Sequence, residues 1–150
     1  MIFWMLACLS EPTEEKRRTY HVEKELVYRQ IEDVTLLGDL AWPEGDGPFP
    51  TVILIHGGGF KEGSREDDSI QKWSELLLDA GFATFNIDYR LKDDMPSPLF
   101  PGPVEDVKCA VRWLKAQEYP IDPERVFLLG GSVGAHLALM AAFTADKEGF

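Results

Sequence analysis

FLLGGSVGAHLALMAA, Phe127 to Ala142, sets an apolar run, two glycines, a serine and another glycine ahead of an apolar helical segment. Packing alone does not ask for that order. Gly130-Gly131-Ser132-Val133-Gly134 fits GxSxG, and the context that gives the motif meaning is a strand before it and a helix after it. A sharp turn of this kind holds the serine in a strained backbone conformation, and the flanking glycines remove side chains that would collide with strand and helix. The Ser132 hydroxyl then projects into a cleft at the helix start. The Val133 amide would face an oxyanion formed on a bound carbonyl, where the helix N-terminus also favours negative charge.

The same turn invites another reading, since a glycine turn at a helix N-terminus also binds phosphate. GGSVGAH lacks the GK[ST] ending of a P-loop and is not GxGxxG, so nucleotide binding fits poorly. Upstream, His56-Gly57-Gly58-Gly59-Phe60 follows the continuously apolar Thr51 to Ile55, as expected of a strand covered on both faces in a parallel sheet. An HGGG segment after an earlier strand brings unobstructed N–H groups to the same cleft, with Gly58 and Gly59 as the further donors. The pair of motifs is far more specific than either alone.

The remaining segments supply a consistent frame. Val22 to Ile31 and Asp33 to Trp42 read as two antiparallel strands forming a sheet edge, with Val34, Leu36, Leu40 and Trp42 on one parity. Pro43 to Pro50 is dense in turn formers. Ser69 to Ala80 predicts an amphipathic helix burying Ile70, Trp73, Leu76, Leu77 and Ala80, with Gly81 as a left-handed terminator. Phe82 to Ile87 predicts a strand entering Asp88-Tyr89-Arg90. The proline-rich loop Met95 to Pro103 leads into a helix ending near Lys115, with Glu105 and Asp106 at its acidic start and Val104, Val107, Val111 and Leu114 on one face. A turn at Asp122-Pro123-Glu124 precedes a short strand, Val126 to Leu129, and a last helix runs to about Ala145. No internal repeat is visible. The order, a hairpin and then strand and helix in alternation, predicts an α/β fold with crossover helices, whose ligands bind beyond the carboxyl ends of the strands.

From about Val22 onward the chain resembles the α/β-hydrolase superfamily, in its HGGG-bearing carboxylesterase branch: hormone-sensitive-lipase-like enzymes and bacterial acetyl-xylan and feruloyl esterase-like proteins. The segments that carry the resemblance are HGGGF at 56–60, DYRL at 88–91, FPGPVEDVKCAVRWL at 100–114 and IDPERVFLLGGSVGAHLA at 121–138. It implies Ser132 as nucleophile, with Gly58, Gly59 and Val133 as oxyanion donors. It also implies hydrolysis of carboxylic esters, either small acyl esters or acetyl groups on plant polysaccharides, with neither metal nor organic cofactor. Val133 is bulkier than the residue usual there, which narrows the expected pocket. Within the same fold a peptidase is the competing enzyme reading, and a non-catalytic binding module is the competing reading from another class.

A serine needs a base, ordinarily a histidine oriented by a carboxylate, and in this fold both follow the serine in the chain. No histidine occurs after His136. His136 lies four residues past Ser132 on the same helix, so its ring is expected along the helix in a structural hydrogen bond, not across the cleft. His56 is read as a brace of the HGGG loop and His21 as an exposed residue before the first strand. Asp88 precedes the serine and belongs to a structural loop, while Tyr89 and Arg90 are expected to brace the oxyanion loop. Asp67 and Asp68 are expected on a solvated helix start. The triad acid and histidine are therefore expected beyond Phe150, with residues 20–150 the N-terminal part of a hydrolase domain.

Composition bounds the partners. With 150 residues, 45% of them hydrophobic, the chain suffices for one packed core. A net charge of −11 and the lack of a basic run argue against nucleic acid. Cys8 and Cys109 form no metal-ligand spacing, so no metal site is expected, and Cys109 reads as a small core residue. Residues 1–19, apolar to Leu9 and then polar, are read as a signal-peptide remnant and linker. That places the protein outside the cytoplasm as a secreted, periplasmic or lipid-anchored protein, with membrane contact only through an acylated Cys8; the alternative is a cytoplasmic protein.

Overall fold

The structure, a computed structural model, describes residues 19–94 and 99–145. The signal-remnant and Cys8 readings lie outside the described residues. β1 (Tyr20–Ile31), β2 (Val34–Pro43), β3 (Phe49–Ile55), β4 (Ala83–Ile87) and β5 (Ile121–Gly130) form one mixed sheet in the order β1-β2-β4-β3-β5. β1 with β2 and β2 with β4 pair antiparallel, whereas β4, β3 and β5 run parallel. The hairpin expected at a sheet edge is there, with β1 outermost and β2 joining it to β4. Among the described helices, none is long and apolar enough to cross a membrane.

Two helices make the crossovers, α1 (Asp68–Asp79) from β3 to β4 and α2 (Gly102–Lys115) from β4 to β5, and α3 (Val133–Phe143) follows β5. Alternation along β3 divides the core between the two faces. Ile53 and Ile55 join Phe85, Ile87, Val104, Val107, Leu114 and Leu137 beneath α2 and α3. Val52 and Leu54 point the other way, toward Ile70, Trp73 and Leu77 on the α1 side. Each fully buried aliphatic side chain contributes about 1.5–3 kcal/mol of transfer free energy.

The structure corrects four expectations. The buried stripe of α1 is Ile70, Ser74 and Leu78; Leu76, expected inside, is 67% exposed, and Ala80 is exposed. Ser74 is inside because its hydroxyl pairs with that of Thr84 at 2.7 Å, which removes the cost of burying either. β5 begins at Ile121, with the Asp122-Pro123-Glu124 turn contained as an irregularity between the pairs Phe49↔Ile121 and Thr51↔Val126. His21, exposed as expected, lies within β1 and not before it, stacked on Trp42 at 5.4 Å. Cys109 is only partly buried, packed against the core with its thiol toward the Tyr28 carbonyl. Gly81 takes the left-handed conformation (φ 89°), and the Gly81 and Phe82 amides cap the Leu78 and Leu77 carbonyls to stop α1.

Candidate active site

The parallel strands deliver three loops to one end of the sheet: 56–67 after β3, 88–94 after β4 and 131–132 after β5. Ser132 is the N-cap of α3 at φ 54°, ψ −119°. A non-glycine residue at positive φ costs about 1–3 kcal/mol and is held only by its surroundings. Here the surroundings are two glycine contacts. A Cβ on Gly130 would lie 2.3 Å from the Gly134 carbonyl carbon, and one on Gly134 would lie 2.1 Å from the Ile55 carbonyl oxygen. Only hydrogen at both positions lets α3 begin directly against β3 and β5. The Ser132 hydroxyl makes no capping hydrogen bond and the residue is exposed, so the oxygen is left available.

The loop after β3 comes to the same place. A Cβ on Gly57 would sit 3.6 Å from Ser132 Cβ and 3.3 Å from the Gly131 carbonyl oxygen, so the HGGG segment runs alongside the serine turn. Gly58 (φ 100°) turns the chain, its carbonyl accepting the Lys61 and Glu62 amides. A side chain there would meet the Glu62 carbonyl oxygen at 1.8 Å. Among the described residues, the N–H groups of Gly58, Gly59 and Val133 donate to no backbone carbonyl and no side chain. Three unengaged amides thus belong to the two segments that flank Ser132.

The walls are braced as the sequence predicts in part. The His56 ring is buried, its Nδ1–H donating to the Gly57 carbonyl at 2.8 Å, and it stacks on Tyr89. Burial lowers its pKa below the ordinary value, against the opposing pull of that carbonyl. The Tyr89 hydroxyl donates to the carbonyls of His56 (3.1 Å) and Gly57 (3.0 Å), and burial raises its pKa. Asp88 is structural: it accepts the Arg65 amide at 2.8 Å and Arg65 Nη1 at 2.6 Å, while Arg65 Nε donates to Asp39. Burial disfavours the Arg65 charge, but the hydrogen bonds and charges of Asp39 and Asp88 outweigh it and raise its pKa.

Arg90 departs from expectation. It does not reach the HGGG loop. Its Nε donates to Asp106 and its Nη2 to the Gly102 carbonyl, fixing the start of α2 instead. Asp106, expected as a helix-start charge, is wholly buried between Arg90 and Arg29. Asp67 is the N-cap of α1 and accepts the Ser64 amide at 3.2 Å, whereas Asp68 is exposed as expected. His136 carries no side-chain hydrogen bond among the described residues; its ring stands edge-on to Phe60 at 6.5 Å. Sequence reasoning missed Arg65, because nothing local marks a loop arginine as the partner of carboxylates 26 and 23 positions away.

Beside the serine turn is an apolar cavity of about 260 Å³ lined by Phe60, Leu99, Phe100, Pro103, Val104 and Leu137, together with His136. Among the described residues no group of His, Cys, Asp and Glu is arranged to hold a metal ion.

The sequence model of the BD-FAE family matches residues 39–150. Among solved structures, a bacterial heroin esterase superposes with a TM-score of 0.70 at 30% identity, over 85% of this chain and 40% of its own. Esterase B from Lactobacillus rhamnosis, inhibited by a tributyrin phosphonate, superposes with a TM-score of 0.69 at 32% identity, over 85% of this chain and 41% of its own. A segment of the non-reducing polyketide synthase atr1 from Stereocaulon alpinum is 32% identical over 88% of this chain, which spans 6% of that synthase. The non-reducing polyketide synthase trt4 from Aspergillus terreus is 36% identical over 93% of the chain, again 6% of the synthase.

Proposed function

Since the chain belongs to the BD-FAE family and has the esterase-like α/β-hydrolase fold, we propose that it forms the nucleophile-bearing part of a serine carboxylesterase. Ser132 Oγ attacks the ester carbonyl carbon and gives its proton to a base. The Gly58, Gly59 and Val133 amides receive the oxyanion, the C–O bond to the alcohol breaks, and the alcohol leaves with that proton. Water then cleaves the acyl-enzyme by the same path in reverse.

One observation carries this reading: an exposed serine at positive φ, its hydroxyl unused in capping, is flanked by two segments whose three backbone amides engage no acceptor among the described residues. Each such donor is worth about 2.7–4 kcal/mol in the transition state. The base and its carboxylate partner are assigned to residues beyond Phe150, since His56 is committed to Gly57 and His136 lies on the serine's own helix. The substrates proposed are small acyl esters, including acetyl groups on polysaccharide.

The experiment is mass spectrometry after fluorophosphonate treatment of the full natural polypeptide, beside Ser132→Ala. Labelling at Ser132 that vanishes in the variant supports the reading. Labelling that persists in the variant overturns Ser132 as the nucleophile, and absence of labelling from the unsubstituted protein overturns the reading in favour of a binding module. Turnover of a dipeptide anilide in preference to 4-nitrophenyl acetate would indicate a peptidase instead.

A further inference from the structure

We infer that Arg65 is a positioning residue for the proposed hydrolysis: its bridge between Asp39 and Asp88 holds the loop after β3 so that the Gly58 and Gly59 amides keep their place alongside the serine turn. The inference rests on Ser132 as nucleophile and on those amides as oxyanion donors.

The loop closes on itself before it reaches Arg65. The Gly58 carbonyl accepts the Lys61 and Glu62 amides, and a Cβ on Gly63 would lie 2.4 Å from His56 Nδ1 and 3.0 Å from the Gly57 carbonyl oxygen. Residues 62 and 63 are thus packed on the segment that carries the donors. Gly63 is close to Arg65 in the chain, so a shift at Arg65 passes to the glycines, because close-packed backbone transmits displacement and does not absorb it.

Arg65 fixes that far end of the loop in three directions. Its Nε donates to Asp39 on β2 at 3.0 Å, and its Nη1 donates to Asp88, just past β4, at 2.6 Å. The other Asp88 oxygen accepts the Arg65 amide at 2.8 Å, and Gln71 of α1 donates to the Arg65 carbonyl at 3.0 Å. Tyr89, the residue after Asp88, holds the carbonyls of His56 and Gly57. Consecutive residues therefore grip the two ends of one loop, and the glycine amides lie between them.

Stability alone does not call for this arrangement. Arg65 and Asp39 are 8% and 6% exposed, and apolar side chains of the same volume often serve as well as a buried ion pair. What apolar packing lacks is direction. A planar fork held by two carboxylates permits one placement of the chain that carries it. The guanidinium is engaged by Asp39 and Asp88, so its influence on an ester runs through the loop.

The test uses the full natural polypeptide, with rates counted per Ser132 labelled by fluorophosphonate, and compares Arg65→Lys, Asp39→Asn and Ser74→Ala. Lysine keeps the charge and loses the fork; asparagine keeps the shape of Asp39 without its charge. Arg65→Lys is expected to lower kcat for 4-nitrophenyl acetate at least about 10-fold with KM within about twofold, and Asp39→Asn to lower kcat about threefold. An alkyl trifluoromethyl ketone should lose affinity by the same factors. Ser132 Oγ adds to its carbonyl carbon, the serine proton passes to the base, and the resulting oxyanion needs the amides. Ser74→Ala breaks the hydroxyl pair with Thr84 and is expected to lower the melting temperature while leaving kcat and ketone affinity unchanged. Unchanged kcat and ketone affinity in whichever bridge variant folds, equal losses in Ser74→Ala, or failure of both bridge variants to fold overturns the positioning role alone. Absence of Ser132 labelling from the unsubstituted protein overturns the nucleophile reading and this inference with it.

Discussion

Tyr89 and His56 lie ring on ring, 4.3 Å apart and 14° from parallel, and the Tyr89 hydroxyl donates to the backbone carbonyls of His56 and Gly57. One side chain from the end of β4 thereby fixes the first turn of the HGGG loop. Tyr89→Phe keeps the stack and removes both hydrogen bonds. It is expected to cost about 1–3 kcal/mol of stability by leaving the buried His56 carbonyl unpaired, the Gly57 carbonyl keeping its bond from the His56 ring. It should also lower kcat about tenfold with KM nearly unchanged, because the amides would no longer be held in place for the transition state. Urea unfolding and steady-state kinetics on one ester check both; a variant that loses stability while keeping kcat removes Tyr89 from the positioning role.

His56 makes stability depend on pH in a definite direction. Its buried ring resists protonation that the unfolded ring accepts near the ordinary value of 6.5. Below that value the unfolded state binds more protons, so stability falls as acid is added. The urea midpoint should drop between about pH 7.5 and about pH 5.5, and drop less in His56→Gln. Equal slopes in the two proteins would assign the dependence to other groups.

Two glycines in the site should respond very unequally to the same change. Gly134→Ala forces a methyl to within 2.1 Å of the Ile55 carbonyl oxygen, against backbone that cannot yield. A loss above about 3 kcal/mol is expected, with the labelling of Ser132 lost alongside. Gly59→Ala meets nothing within 4 Å and bears only the left-handed backbone penalty at φ 63°, about 1 kcal/mol. Thermal melts of the pair read the difference.

Asp106 holds Arg29 and Arg90 from a wholly buried position. Asp106→Ala leaves the Arg90 guanidinium buried beside a missing partner and should cost about 3 kcal/mol. Arg29→Ala should cost less, since that side chain is a quarter exposed and water can replace its partner. A cost for Arg29→Ala equal to that of Asp106→Ala would place the stabilising contact on the outer arginine.

The frame was legible because period and punctuation are local. A continuous apolar run marked β3, Gly81 marked the end of α1, and GxSxG between strand and helix marked the turn at Ser132. What stayed hidden depends on partners far along the chain. Asp106 reads as one of two acidic residues at a helix start, and only the arrival of Arg29 from β1 and Arg90 from the loop after β4 makes it a buried hub. The burial of Ser74 stayed hidden for the same reason, the Thr84 hydroxyl being 10 residues away on another element. The cavity walls likewise come from separate segments around Phe60, Val104 and Leu137, a meeting that no short window of sequence can contain.

The contact of Gly134 with Ile55 divides the molecule into parts with different freedom to change. The serine turn and the strand leading to the HGGG loop touch backbone to backbone, so neither can be adjusted without the other. Leu99 and Phe100 precede α2 and Phe60 sits past the three HGGG glycines, all outside that contact. Substitutions at these positions can alter which molecules are accommodated while the spacing between serine and amides stays fixed. A lineage built on this plan can diversify its ligands by exchanging a few peripheral side chains, with the chemistry inherited intact.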